Sequence, residues 1–348
     1  MLRMLRRLFK KRVGAGGPHP PRSREMGRSR FLVAKFKDPR ASAVLRWGSR
    51  RELDYRLYLP TGSSRRDSMP LMVMLHGCKQ DSLSFAEGTR MNMLAEKYRC
   101  AVLYPEQSKR SNLLRCWNWF ESTSLAGQGE AALIAHLIYQ VTQRRPIDPR
   151  RVYVVGMSAG GAMACLLAVR HSRLFAACAI HSGVMYGAAS SPAQALAVMR
   201  DGPSPTSIEK ARQLVCEASE SAVTVPTLVI HGDRDTTVSP VNADQIIAQL
   251  KARVEEIIGP SAGPLLATDE RRIESGGHTY RQQDSTQQGE LVLRKIVVEG
   301  LGHAWSGGDM SYEFNDANGP DASRLILDFV MPYQRKIHPT AAHTRASH

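Results

Sequence analysis

The chain reads as a series of short apolar runs separated by helical stretches and polar loops. Leu53-Asp-Tyr-Arg-Leu-Tyr-Leu59 alternates apolar and polar positions, the period of an antiparallel edge strand, and stops at Pro60. Residues 71–75 (LMVML), 100–104 and 152–155 are continuous apolar runs, suited to strands buried on both faces. Phe175 to Ile180 and Thr227 to Ile230 read the same way, and Leu291 to Val298 alternates again. Between them, helices are predicted over 84–98, over 127–144 (ended by Pro146), after Ser158, and over 322–330. Strands alternating with helices predict an α/β fold, a mostly parallel sheet flanked by helices on both faces. With no internal repeat, residues 42–337 are expected to form one catalytic domain with loop insertions at about 185–223 and 258–289. The first insertion falls where such folds carry a cap, and the second is expected to be a flexible excursion.

Composition narrows this picture. At 348 residues and 43% hydrophobic, the chain is long enough to bury a full core, and it has no run of eighteen apolar residues to predict a membrane span. The net charge of +15 suggests nucleic acid until it is located. Residues 1–51 hold 16 Lys and Arg against Glu25 and Asp38, so nearly all of the excess lies there. No nucleic-acid partner is therefore expected of the body. Residues 1–41 are read as a basic, disordered arm, with weak contact to an anionic surface as the alternative, and 338–348 as a flexible tail. The arm lacks the apolar core and cleavage site of a secretory signal, which makes the cytoplasm the default compartment.

The candidate chemistry centres on Gly156-Met-Ser158-Ala-Gly160, a Gly-x-Ser-x-Gly pattern between an apolar strand and an apolar helix. This is a nucleophile elbow. Side chains at Gly156 or Gly160 would collide with the turn, and the helix following Ser158 aims its positive end at an oxyanion. The plainer reading is a glycine-rich turn carrying an incidental serine. A serine nucleophile needs a base and an orienting carboxylate, expected in the order Ser, Asp, His, each in a loop after a strand. Strand 227–230 runs into Asp233 and Asp235; Asp235 is preferred for its room to turn back, leaving Asp233 as a turn cap. Strand 291–298 leads to His303, between Gly302 and Ala304-Trp305. His278 is the main competitor but precedes that strand, while His171 is read as exposed and His181 and His231 as structural. The oxyanion donors are expected at the backbone N–H groups of Ala159 and of Cys78 in the loop after strand 71–75, with His76 bracing that loop.

Five ordered motifs, LHGCKQ (75–80), CWNWF (116–120), IDPRRVYVVGMSAGGAMA (147–164), HGDRDTTVSP (231–240) and GLGHAWSGG (300–308), make the chain resemble the poly(3-hydroxybutyrate) depolymerase family of esterases. Acetylxylan and feruloyl esterases are its relatives. The resemblance covers about residues 45 to 335. It implies an α/β-hydrolase fold, Ser158, Asp235 and His303 as triad, hydrolysis of carboxylic esters, and neither metal nor cofactor. Secreted polymer depolymerases carry a signal peptide, a linker and a polymer-binding domain. None is evident in this chain, so hydroxyalkanoate oligomers or short-chain esters are the expected substrates, with an acetylxylan or feruloyl ester as the alternative. A non-catalytic binding protein using the arm is the alternative of another class.

Of six cysteines, Cys165 and Cys178 fall in apolar runs as core residues. Cys78 and Cys116 both lie in loops on the expected catalytic side. A bridge between them would pin the oxyanion loop, and two free thiols fit the sequence equally. Trp117, Trp119 and Trp305 lie in loops expected to open on the site, where they would wall a substrate chain; the other reading plugs them into the core.

Overall fold

A computed structural model describes residues 30–39, 52–64, 68–218, 223–259, 263 and 265–335. Most of the basic arm, and residues 336–348 with the whole of the expected 338–348 tail, therefore lie outside the described residues. The strands are β1 (Arg30–Lys37), β2 (Glu52–Leu59), β3 (Met69–Leu75), β4 (Ala101–Glu106), β5 (Ile147–Met157), β6 (Ala177–His181), β7 (Thr227–Gly232), β8 (Leu266–Ala267), β9 (Arg271–Ser275), β10 (His278–Gln287), β11 (Glu290–Val298), β12 (Trp305–Ser306) and β13 (Asn315–Asp316). The helices are α1 (Ser82–Gly88), α2 (Met91–Tyr98), α3 (Ser122–Leu125), α4 (Gly129–Arg144), α5 (Ala159–Arg170), α6 (Pro192–Asp201), α7 (Pro205–Glu217), α8 (Val241–Ile258) and α9 (Ala322–Val330).

One sheet carries the fold, in the order β1-β2-β4-β3-β5-β6-β7-β11-β10-β8, with β9 also paired to β10. Pairing is parallel from β4 through β11 and antiparallel at both margins. The continuous apolar runs are explained by burial on both sides. Leu71, Val73 and Leu75 of β3 enter one core with α4, α5 and α8, while Met72 and Met74 enter the other with α1, α2 and α9. Among the described residues no helix is long and apolar enough to cross a membrane.

Three features differ from the sequence expectation. Residues 30–37, counted with the arm, form β1 and cover β2, which is therefore not an edge strand. The basic character hid a real alternation, in which Phe36 is buried while Lys35 and Lys37 pair with Asp54 and Glu52 on the solvated face. The stretch 258–289 is not simply an excursion, because β8, β9 and β10 extend the sheet there. Its inner face is polar, which masked the strand period. Asp284 is buried and takes two 2.7 Å hydrogen bonds from the Arg294 guanidinium of β11. Helix 84–98 is two helices, because the loop at 307–315 presses into the break. Gly88 O accepts Asp309 N–H at 2.8 Å, and a Cβ on Gly88 would lie 2.5 Å from the Asn315 amide. The region 185–223 supplies α6 and α7, each begun by a capping serine (Ser191, Ser204) and a proline. Met199 O, in α6, accepts Ser239 N–H at 2.7 Å, which ties this insertion to the loop after β7.

Candidate active site

Ser158 follows β5 directly, with φ 56° and ψ −121°, a left-handed conformation strained for any residue with a side chain. The surroundings hold it there. Its N–H donates to His181 O at 2.9 Å, and its carbonyl already accepts Ala162 N–H as the first bond of α5. A Cβ on Gly156 would stand 2.0 Å from Gly160 O, and one on Gly160 2.0 Å from Leu75 O. The two glycines let strand, helix and the neighbouring β3 approach more closely than any side chain allows.

Register brings the other loops to the same margin. Met157 of β5 is level with His181 of β6, His181 with Ile230 of β7, and Gly232 of β7 with Val298 of β11. Ser158, Asp235 and His303 thus all lie just past the carboxyl ends of parallel strands. From β5 to β11 is three strand spacings, about 14 Å, so the loop after β11 must lean back across the sheet. Asp233, expected to cap its own turn, instead accepts Gly300 N–H at 2.7 Å and anchors the start of that loop.

His303 Nδ1 donates to Asp235 Oδ2 at 2.7 Å, since the carboxylate only accepts; Nε2 is the nitrogen left for a substrate-side proton. Asp235 Oδ1 accepts Thr237 N–H at 2.9 Å and Val238 N–H at 2.8 Å. His231 Nε2 approaches Oδ2 at 3.5 Å and donates to Val238 O at 2.8 Å. Burial works against a charged Asp235, but the hydrogen bonds from His231, His303 and Val238 outweigh it and hold the carboxyl well below the usual carboxylate range.

The loop after β3 lies against the serine, with an added Gly77 Cβ only 3.3 Å from Ser158 Cβ. Gln107 N–H donates to His76 Nε2 at 3.1 Å, so His76 Nδ1 carries the proton given to Gly77 O at 2.7 Å. This ring is a brace, and burial lowers its pKa to about 4. Trp117 donates its indole N–H to His76 O at 3.1 Å. Cys78 and Cys116 are joined by a disulfide, S–S 2.05 Å, so the loop carrying the Cys78 N–H is tied covalently to the tryptophan loop. The sequence reading missed the second tie. Buried Glu130 accepts from Asn118 N–H at 2.9 Å, Asn118 Nδ2 at 3.0 Å and Gln107 Nε2 at 2.7 Å.

The three tryptophans expected as open walls are buried, at 0% exposure for Trp117, 3% for Trp119 and 1% for Trp305. Trp305 stacks on His181 with ring centroids 5.0 Å apart and donates to Ser323 Oγ at 3.1 Å. Packing on His181 takes this indole below the site instead of into it. His171, read as exposed, is half-buried, with Nε2 3.1 Å from Gly127 O. His278 lies on β10, its Nε2 3.7 Å from Asp316 Oδ1, and does not reach the Asp235 pair. The half-buried aromatic beside the histidine is Phe314, edge-on to His303 with centroids 6.3 Å apart; no sequence signal marked it.

Comparison with known proteins bears on the family and the fold. The family model described as Esterase PHB depolymerase matches residues 53–272, which include Ser158 and Asp235. A poly(3-hydroxyalkanoate) depolymerase C of Paucimonas lemoignei is 33% identical over 196 residues, 55% of this chain and 46% of that protein. A poly(3-hydroxybutyrate) depolymerase of Ralstonia pickettii is 26% identical over 275 residues, 76% of this chain and 53% of that protein. The chain thus spans about half the length of these relatives. Among solved structures, an acetyl xylan esterase from Aspergillus awamori shares the fold at TM-score 0.59 and 19% identity, over 80% of this chain and 94% of that one. That likeness identifies the α/β-hydrolase architecture. With the family model matched across well over half its length, the chain belongs to the esterase PHB depolymerase family.

Proposed function

We propose that the protein hydrolyses carboxylic esters through an acyl-enzyme on Ser158. The observation that carries this reading is the 2.7 Å His303–Asp235 pair at the strand margin where Ser158 is held at φ 56°. His303 Nε2 takes the Ser158 Oγ proton as Oγ attacks the ester carbon. Asp235 fixes the tautomer and offsets the positive charge of the imidazolium. The carbonyl oxygen becomes an oxyanion, received by the N–H groups of Ala159 and Cys78 beside the positive end of α5. Collapse breaks the C–O bond, and Nε2 returns the proton to the leaving alcohol. Water then attacks the acyl-enzyme by the same route and releases the carboxylic acid.

Hydroxyalkanoate oligomers and short-chain esters are the proposed substrates, supported by the similarity to the two depolymerases. Comparing p-nitrophenyl butyrate turnover by the parent and by Ser158→Ala tests the reaction, and equal rates would end this reading. A parallel panel of hydroxybutyrate oligomers and acetylated xylan separates the depolymerase from the carbohydrate-esterase reading.

A further inference from the structure

We propose that Phe314 is the residue that selects the alcohol half of the ester. The proposal rests on the roles given above to Ser158 and His303. Its first support is position. The Phe314 ring stands edge-on to His303, interplanar angle 76°, and is only half-buried, so part of it stays open beside the base. The second is backbone conformation. Phe314 has φ 63°, in the left-handed region that a bulky aromatic rarely adopts. It is held there from several sides. Phe314 O accepts Trp305 N–H at 2.8 Å, and Asn315 pairs with Trp305 in the β12–β13 bridge. The Asn315 side-chain amide donates to Tyr312 O at 3.2 Å and Glu313 O at 3.0 Å. A loop that keeps a strained aromatic against the base is over-determined for that placement.

The chemistry says which half of the substrate the ring meets. When the tetrahedral intermediate collapses, the ester C–O bond breaks, the acyl carbon stays on Ser158 Oγ, and Nε2 gives its proton to the departing alcohol oxygen. That oxygen must lie within hydrogen-bond reach of Nε2, so the rest of the alcohol extends beside the imidazole, where Phe314 stands. The acyl half stays with Ser158 and the oxyanion donors. Once the alcohol has left, water takes its place. Phe314 therefore acts on formation of the acyl-enzyme and not on its breakdown. The buried Trp117, Trp119 and Trp305 offer no such face. A half-open aromatic ring favours aryl or longer alkyl alcohols over methyl and ethyl.

The test compares phenyl butyrate with ethyl butyrate, two esters of one acid, on the parent, Phe314→Ala and Phe314→Leu, with thermal melts to certify folding. Taking the ratio of kcat/KM values for the two esters, and comparing it between proteins, cancels their intrinsic reactivity. In Phe314→Ala the phenyl-to-ethyl ratio should fall about tenfold, the size of one lost apolar contact, and in Phe314→Leu by less. Breakdown of the shared butyryl-enzyme, followed after a burst, should keep the parent rate. An unchanged ratio in both variants overturns the proposal, whatever the absolute loss of activity. Breakdown slowed as much as formation overturns it too, since that marks a general disturbance of His303. Parent activity that survives Ser158→Ala would instead remove the site assignment beneath it.

Discussion

Asp233 anchors the turn that carries His303: its Oδ1 accepts Gly300 N–H at 2.7 Å, three residues before the imidazole, beside the backbone bonds from Asp233 N–H to Val298 O and from Arg234 N–H to Leu301 O. Two aspartates of one loop thus serve one histidine in different ways. Asp235 bonds its ring, and Asp233 anchors its backbone.

The two should therefore separate in kinetics. Asp235→Asn is expected to lower kcat about ten-thousandfold, because the tautomer holding the base is lost. Asp233→Ala removes one backbone tether, worth about 1 kcal/mol of stability, and should cost far less in kcat. Steady-state kinetics on p-nitrophenyl butyrate read both. The opposite ranking would transfer the carboxylate role to Asp233.

Gly160→Ala should not give a stable native protein, since its Cβ would meet Leu75 O at 2.0 Å and His76 O at 2.6 Å, both backbone atoms. The expected loss exceeds about 3 kcal/mol, the upper range for overpacking. Gly302→Ala is the control, with nothing within 4 Å of its added Cβ. Chemical denaturation of both variants checks the contrast, and a Gly160→Ala protein as stable as the parent would contradict the close approach of α5 to β3.

Cys116→Ser removes the covalent tie on the loop bearing the Cys78 N–H. Losing a disulfide of this kind typically costs about 2–4 kcal/mol. The Gln107–Glu130–Asn118 hydrogen bonds remain to hold the partner loop, so kcat should fall by less than the roughly hundredfold or greater loss that follows outright removal of an oxyanion donor. Reduction of the parent should reproduce the effect. Full activity after thiol titration shows all six cysteines free would rule out a role for the bridge.

Stability should fall on mild acidification. Burial lowers the pKa of His76 from 6.5 to about 4 and that of His181 from 6.5 to about 3, the latter also pushed down by His231 and His303. Below pH 6.5 the unfolded chain takes up protons that the folded chain refuses, so stability is full above 6.5 and declines as pH drops towards 4. The loss is on the order of 3 kcal/mol per buried ring. Asp235 acts in the same direction lower down. Its depressed pKa stabilises the fold above about 3.8, and that contribution is lost as pH falls further. Urea unfolding at pH 7, 5.5 and 4.5 should show a steadily falling midpoint; a constant midpoint from pH 7 to 5 would mean that neither ring is buried neutral.

How much of this was legible in the chain depended on the range of the physical cause. The elbow is a short-range device. An apolar β-branched strand, two glycines and one serine within five residues leave few other conformations, and Gly156, Ser158 and Gly160 behave as their spacing implies. The loops with Asp235 and His303 were found because each follows an apolar strand, and strands of a parallel sheet end on one side. By contrast β1 and β10 were obscured: Lys35 and Lys37, which alternate with Phe36, find their partners Asp54 and Glu52 on β2, and Asp284, which breaks the apolar face of β10, finds Arg294 on β11.

By itself, then, the sequence determined the strand–helix alternation, the strained serine and the order of the three candidate site residues, all consequences of near neighbours along the chain. Only the tertiary structure decided which aspartate bonds the imidazole, that Cys78 and Cys116 meet, and that the aromatic beside His303 is Phe314 while three tryptophans face inward. The reason is physical. Whether a side chain is exposed or paired depends on segments tens of residues away packing against it, and no local pattern carries that information.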